Sequence, residues 1–288
     1  MQQGHAHALA GRTILITGAT RGIGQATAEA LARMGATIIV HGRDAGRVER
    51  ACNALKQSAL YAPVFGAVAD LASLADVHRL ADEIEQRHDR LDVLINNAGC
   101  VTRRRRETED GLEWQLAVNH LAPFLLTHRL LDKLNAGAPA RIVNVSSMAH
   151  HRAALDLDDL NWERRRYSGI GAYGATKLAN ILFTRELARR LDPTRVTVNC
   201  LHPGVVATNI FAGMGVVGAL FGILSKPFML ASGKGAETSV FLAASEDAHG
   251  VNGRFFDKSK PVEPSLAALD DAAAAALWER SERLAGLG

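Results

Sequence analysis

Six short runs rich in β-branched residues recur along the chain, and stretches of helical length lie between them. The runs are Thr13–Thr17, Thr37–His41, Val64–Val68, Asp92–Asn96, Arg141–Ser146 and Val196–Leu201. They are nearly continuously apolar rather than alternating, as strands buried on both faces must be. Gly22–Met34, Leu74–His88, Gly111–Leu134 and Tyr173–Leu191 have the length of helices. In the last of these, Ala179, Leu182, Phe183 and Leu187 recur at helical spacing beside Glu186 and Arg190. This alternation predicts an α/β fold, a doubly wound parallel sheet with helices on both faces. A seventh strand is expected near Gly253–Phe256 and a terminal helix over Ser265–Leu287. No Pro/Ser linker or repeat interrupts the pattern. Residues 11–288 therefore read as a single domain behind a disordered leader, residues 1–10.

Bulk properties exclude several functions. A net charge of +3 over 288 residues gives no reason to expect a nucleic-acid or membrane-surface partner. Cys52, Cys100 and Cys200 are far apart, with no metal-ligand spacing, which suits a reduced, cytoplasmic setting. The start of the chain lacks a basic segment followed by a long apolar run, so no signal peptide is read. From Thr208 to Ser225 there is no charge, and the length approaches a membrane span. Gly213, Gly215, Gly218 and Gly222 break this stretch and Pro227 follows. It reads as an apolar flap over a substrate, about residues 208–232, rather than as a spanning helix.

The first strand runs into Thr17-Gly-Ala-Thr-Arg-Gly-Ile-Gly24, and a helix follows. Gly18, Gly22 and Gly24 permit a tight turn and close backbone approach, with Thr20, Arg21 and Ile23 between them. The helix N-terminus then offers free N–H groups to a diphosphate. A lone glycine cluster is weak evidence, but one placed between strand and helix near the N-terminus is specific. The second strand ends at His41-Gly42-Arg43-Asp44. An acidic residue here would take the ribose hydroxyls of NAD, and an arginine would accommodate the extra phosphate of NADP. Arg43 and Asp44 offer both. Arg21 is a second cation near the same pocket, and two arginines on one dianion favour NADP(H). Asp70-Leu71, after the third strand, is placed to contact the adenine, and Asp70 could also cap the following helix.

Tyr173 and Lys177 lie four residues apart on one helical face. An ammonium beside a phenol favours the phenolate, lowering a pKa that is ordinarily about 10. Such a tyrosine can trade protons near neutrality. Of the other two tyrosines, Tyr167 has Gly171 where a lysine would be needed and reads as structural, and Tyr61 has no lysine partner at this spacing.

Together these motifs resemble the short-chain dehydrogenase/reductase family. The resemblance runs from Gly11 to about Pro264. It is carried by the glycine loop Thr17–Gly24, Asn96-Asn-Ala-Gly99, Asn119 in Val118-Asn-His120, Ser146-Ser147, Tyr173-x-x-x-Lys177 and His202-Pro-Gly204. Asn144-Val-Ser-Ser-Met-Ala-His-His151, Lys177–Phe183 and Glu186–Arg190 look like the retinol-dehydrogenase-like branch. The resemblance implies a Rossmann-type sheet of seven strands and a nicotinamide cofactor. It implies that Tyr173 donates or accepts the proton at the substrate oxygen. Lys177 holds the nicotinamide ribose and tunes Tyr173, and Asn119 holds the water path behind Lys177. Asn97, Ala98 and Gly99 line the cofactor, while Pro203, Gly204, Val205 and Thr208 border the nicotinamide. Adjacent serines on a strand face opposite ways. The branch pattern assigns the oxygen-binding role to Ser147 rather than Ser146. Histidines and acids, among them His150, His151, Asp156, Asp158 and Asp159, fill the long gap between Ser147 and Tyr173.

The expected activity is hydride transfer between NADP(H) and a carbonyl or alcohol, with a lipophilic small-molecule substrate suggested by the apolar flap. A nucleotide-sensing regulator without turnover and a natural-product tailoring enzyme are the alternatives. The family analogy implies a homodimer or homotetramer. Arg103–Arg106 and Arg164–Arg166 have acids beside them and read as solvated loops, though the first could guide an anionic substrate. His150-His151 lacks a third ligand, so no metal is expected. Trp114 and Trp162 read as packing residues.

Overall fold

The first apolar run folds as β1 (Thr13–Ile16), and the later runs join the same sheet. The structure is a computed structural model that describes residues 8–59, 62–193, 195–204 and 232–287. On one side of β1 lie β2 (Thr37–Gly42) and β3 (Val64–Val68). On the other lie β4 (Val93–Asn96), β5 (Ala140–Val145), β6 (Val196–His202) and β7 (Phe255–Asp257). All of these pair in parallel. The order β3-β2-β1-β4-β5-β6-β7 reverses direction between β1 and β4. Loops leaving the carboxyl ends of those two strands diverge to opposite faces and open a crevice, the place where such sheets bind ligands.

Each apolar strand feeds both faces of the sheet. Ile14 and Ile16 of β1 pack with Leu31 of α1 (Gly22–Arg33) and with Val48 and Leu55 of α2 (Ala45–Ser58). Leu15, between them, points the other way. It joins a core with Leu80 and Ile84 of α3 (Leu74–Arg87), Phe124, Phe183 and Trp278. The period of two in a strand requires this division, and it explains why the runs lack polar alternation.

The sheet has an eighth strand that the seven expected strands omit. β8 (Lys260–Val262) pairs antiparallel with β7. The chain reverses through Lys258 and Ser259, at φ 49° and 59°, the left-handed pair of a tight hairpin turn. Pro261 made the run unreadable as a strand, because proline gives no N–H to a ladder. At the sheet edge one face needs no donor.

The helix expected over Gly111–Leu134 is broken into α4 (Trp114–Leu116), a π turn (Ala117–Leu121), α5 (Ala122–Arg129) and α6 (Leu131–Ala136). Pro123 is the cause that can be named. It has no N–H to give the carbonyl of Asn119 four residues earlier. Asn180 Nδ2 donates to that carbonyl instead, at 2.9 Å. The helix expected to start at Tyr173 begins earlier, as α7 (Gly169–Arg190), because Ser168 caps it by accepting from the Gly171 N–H at 3.1 Å. Asp70 does not cap α3. Its carboxylate accepts from Ala72 N at 3.0 Å, and Ser73 is the cap. Among the described residues the remaining α-helices are α8 (Ser232–Ala244) and α9 (Asp271–Leu284), the latter being the expected terminal helix. Leu9, placed in the leader from sequence, is buried and its N–H donates to Met34 O at 2.9 Å. Among the described residues no helix is long and apolar enough to cross a membrane. The apolar segment 208–225 lies outside the described residues.

Candidate active site

The glycine loop is braced from below. Thr17 Oγ1 accepts from the N–H groups of Asn97 and Ala98, both at 3.0 Å, so the ends of β1 and β4 are stitched together. Asn97 Nδ2 donates to Thr17 O at 2.8 Å. Gly18 (φ 65°) and Gly22 (φ 61°) sit in the left-handed region that favours glycine. A Cβ on Gly24 would lie 2.5 Å from both Asn97 Nδ2 and Gly18 O. α2 and α3 are capped by Asp44 and Ser73, whereas Arg21, at the cap of α1, makes no side-chain cap bond. The first N–H groups of α1 are thus left without a side-chain cap, facing the crevice, as a diphosphate site requires.

His41, which the sequence reading passed over, holds the loop in place. Gly18 N–H donates to His41 Nδ1 at 3.3 Å, and His41 Nε2 lies 3.1 Å from Ala69 O. A carbonyl only accepts, so Nε2 carries the proton and the ring is neutral. Burial lowers its pKa to about 4 and keeps it so. The only hint in the sequence was a histidine ending an otherwise apolar strand.

At the end of β2, Arg43 and Asp44 separate in role. Asp44 accepts from Arg47 N at 2.8 Å as the cap of α2. Arg43 is exposed at the same strand end, and the side chain of Thr20 closes on Gly42 beside it. Asp70 and Leu71 follow β3, with Leu71 buried.

The proton-bearing groups converge on the far side of Gly99. A Cβ on that glycine would lie 3.5 Å from both Asn119 Oδ1 and Lys177 Nζ. Asn119, on the π turn, is fully buried. Its Oδ1 accepts from Cys100 N at 2.8 Å, and its Nδ2 donates to Cys100 O at 3.0 Å and to Thr176 Oγ1 at 3.1 Å. The side chain of Ser147 lies near enough to the Tyr173 phenol to favour its phenolate. Its Oγ also accepts from Ala149 N at 3.2 Å. Ser146 faces inward, buried, and donates to Lys177 O at 2.6 Å. The two serines thus part in role, and of the two only Ser147 acts on the tyrosine.

Lys177 does not act on Tyr173 as expected from spacing alone. Its Nζ donates to Val145 O at 2.9 Å and lies 5.6 Å from the centroid of the Tyr173 ring. Burial pushes the Tyr173 phenol up to about 12, and the nearby Ser147 side chain only partly opposes this. Burial also lowers the Lys177 pKa, from an ordinary 10.5 to about 8. Between those two values the unfolded chain holds a proton that the folded chain has released, so stability rises with pH through that window. Burial holds the Cys100 and Cys200 thiols up to about 12, which opposes this rise, so we expect the stability of the wild type relative to Lys177→Met, from denaturant unfolding, to be greater at pH about 9.5 than at about 7.5. Parallel changes in both proteins would show that the slope arises elsewhere.

A family model described as short chain dehydrogenase matches residues 12–215, more than half of the chain. The chain belongs to the short-chain dehydrogenase family. It is 44% identical over 286 residues to human retinol dehydrogenase 13, covering 96% of this chain and 85% of that protein. It is 45% identical to human retinol dehydrogenase 14, covering 96% and 87%. Among solved structures it superimposes on an uncharacterized protein from Mycobacterium paratuberculosis with TM-score 0.78 and 36% identity, over 96% of this chain and 94% of the other. The Pseudomonas aeruginosa RhlG/NADP active-site complex matches with TM-score 0.70 and 26% identity, over 88% and 96%. This short-chain dehydrogenase is therefore a Rossmann-type oxidoreductase of the retinol-dehydrogenase-like kind, in a family that uses nicotinamide cofactors.

The remaining candidates of the dehydrogenase fall as follows. Pro203 and Gly204 follow β6, with Gly204 at φ 82°. Val205 and Thr208 lie outside the described residues. Tyr167 is tied into the body. It donates to Glu113 Oε1 at 2.8 Å, accepts from Gln115 Nε2 at 2.7 Å and lies 2.8 Å from Thr102 Oγ1. Arg105 pairs with Glu107, and Arg106 stacks over Trp114. Among the described residues no group of three His, Cys, Asp or Glu could hold a metal ion.

Proposed function

We propose that this dehydrogenase interconverts a lipophilic carbonyl compound and its alcohol with NADP(H), using Tyr173 as the acid and base. The observation that carries the reading is the convergence of Asn119 Oδ1 and Lys177 Nζ beside Gly99, with Ser147 near enough to Tyr173 to favour its phenolate. The residues present fit a dinucleotide. The N–H groups at the start of α1 would hold its diphosphate, and Asn97, Ala98 and Gly99 would line it. Arg43 and Arg21 would take a 2′-phosphate, since Asp44 is occupied as a cap. The nicotinamide, when bound, supplies or accepts the hydride. Ser147 donates to the substrate oxygen through its Oγ–H, because that oxygen already accepts from Ala149 N. Tyr173 gives its proton to the same oxygen as charge develops there. A phenol held near 12 is fully protonated at neutral pH, which suits the acid role in reduction. Lys177, adjoining Gly99, would supply the proton that replaces it, through water held behind it by Asn119.

Lipophilic substrates are favoured by two apolar side chains left in solvent at the mouth. Met148 directly follows Ser147 and is 44% exposed; Ile170 lies one helical turn before Tyr173 and is 64% exposed. Retinal is the first substrate to try, because it is the aldehyde of the alcohol named in the relatives. Following NADPH absorbance against retinal, long-chain aldehydes, ketones and quinones tests the proposal. Steady consumption is expected, and tight NADPH binding without turnover of any of them would overturn it. Arg43→Ala should weaken NADPH by roughly tenfold to hundredfold, the loss of one charge-assisted hydrogen bond of about 1.5–3 kcal/mol, and leave NADH nearly unchanged. Equal losses for both cofactors would remove the 2′-phosphate role. Three free thiols suit a cytoplasmic compartment. Pairing through α5 and α7 is the oligomer we infer by family analogy. A light-scattering mass near one 30.8 kDa chain would refute it.

A further inference from the structure

We infer that His150 is a positioning residue for Ser147, joining the turn that presents this serine to the C-terminal segment that braces α7. The inference rests on the role proposed above for Ser147. His150 is fully buried on the 3₁₀ turn Met148–Arg152 that begins where β5 and its two serines end. Its Nδ1 lies 2.7 Å from Ser147 O. A carbonyl only accepts, so Nδ1 carries the hydrogen. The neutral ring then has a lone pair on Nε2, and Ser265 N–H donates to it at 3.1 Å. Two bonds on opposite sides of one imidazole thus require the same tautomer. Burial keeps the ring neutral by lowering its pKa. The ring is walled by Phe255 at 5.0 Å and by His151 at 4.0 Å between centroids.

What the ring holds matters more than that it is held. Ser147 is extended, φ −162° and ψ 156°, and its carbonyl direction is set by ψ. Ser147 O accepts both the ring N–H and, at 3.2 Å, the backbone N–H of His150, so the ring clamps the turn whose Ala149 N–H, one peptide further on, donates to Ser147 Oγ. Oγ is thereby held where it acts on the Tyr173 phenol. On the other side, Ser265 opens the stretch that runs through a 3₁₀ turn (Leu266–Leu269) into α9. α9 is clamped to α7 by Asp271, which pairs with Arg185 at 2.8 Å and with Arg189. The serine turn and the helix carrying Tyr173 and Lys177 are therefore registered against one common support. A residue wanted only for packing could be apolar here, but both ring nitrogens of His150 are committed.

Two near-isosteres separate the bonds. His150→Asn keeps a donor at the Nδ1 position. His150→Gln places an amide at the Nε2 position and loses the donor to Ser147 O. With the wild-type substrate and NADPH, His150→Gln should lower kcat roughly 30- to 100-fold, the scale of a small misplacement of a reacting group. The KM for NADPH should stay within about twofold, and His150→Asn should keep kcat within about threefold of wild type, because the cofactor-binding side is untouched. Wild-type kcat in His150→Gln, or equal losses in both variants, would overturn the inference. A second measurement needs neither turnover nor a variant that folds. The ¹⁵N spectrum of the His150 ring in the wild-type protein should show a protonated Nδ1 and a bare Nε2, and the opposite tautomer or an imidazolium near neutral pH would overturn it. A wild-type protein inert toward every carbonyl would instead overturn the redox reading, while the ring spectrum still decides the linkage.

Discussion

Tyr173→Phe should abolish turnover while leaving the cofactor bound. Phenylalanine keeps the ring and its packing and removes one oxygen. Among the described residues no other tyrosine can stand in, because Tyr167 is tied to Glu113, Gln115 and Thr102. Loss of a positioned proton donor costs about 10²- to 10⁴-fold. The upper end is expected, because Ser147 can donate to the oxygen but an alcohol is a far weaker acid than a phenol. The variant should bind NADPH within about twofold of wild type, since the phenol proton adds to transition-state rather than ground-state stabilisation. Fluorescence titration with NADPH and single-turnover rates make the comparison. A variant keeping more than about a tenth of the rate, a difference of about 1.4 kcal/mol in barrier, would remove Tyr173 from its role.

Gly24→Ala is expected to lose cofactor binding through a single methyl group. The added carbon would stand 2.5 Å from Gly18 O and from Asn97 Nδ2. The carbonyl is backbone and cannot swing aside. Asn97 cannot retreat without giving up its bond to Thr17 O. The loop must open, moving the N-terminus of α1 away from the ends of β1 and β4. Overpacking of this kind costs about 1–3 kcal/mol of stability. The loss of NADPH affinity should be larger, at least about a hundredfold, because the N–H groups of a helix start bind an anion only when they converge on it. Gly233→Ala is the control. No described residue lies within 4 Å of its added carbon, and it should bind NADPH normally. Equal affinity in Gly24→Ala and the control, by calorimetry, would show that the dinucleotide does not use this turn.

Much of the site could be read from residue type and spacing because its parts are local. The glycine loop lies within one strand–turn–helix unit, and Tyr173 and Lys177 within one turn of α7. Local motifs survive without knowledge of what packs on them. Roles that depend on distant partners did not survive so well. At the end of β2 only Arg21, elsewhere in the chain, favoured Arg43 over Asp44, whereas the fold gives Asp44 the Arg47 N–H to accept. Ser146 and Ser147 could be told apart only by branch resemblance, whereas the fold separates them by Lys177 O on one side and Tyr173 on the other. The expected depression of the Tyr173 pKa by Lys177 failed for the same reason. Spacing puts two side chains on one face, but it does not say that Val145 O will take the ammonium and that burial will dominate the phenol.

The sequence by itself determined the parallel sheet apart from its eighth strand and the glycine turn after β1, and it named the candidate chemistry-bearing residues, because strand patterning and turn geometry are written in near neighbours. Only the tertiary structure decided how those residues are oriented. Asn119 is held on a π turn because Pro123 withholds an N–H and Asn180, far along the chain, supplies one. His41 and His150 act through backbone groups 23 and 115 residues away. Hydrogen-bond partners at such separations are fixed by packing, and packing is a property of the folded chain rather than of any segment of it.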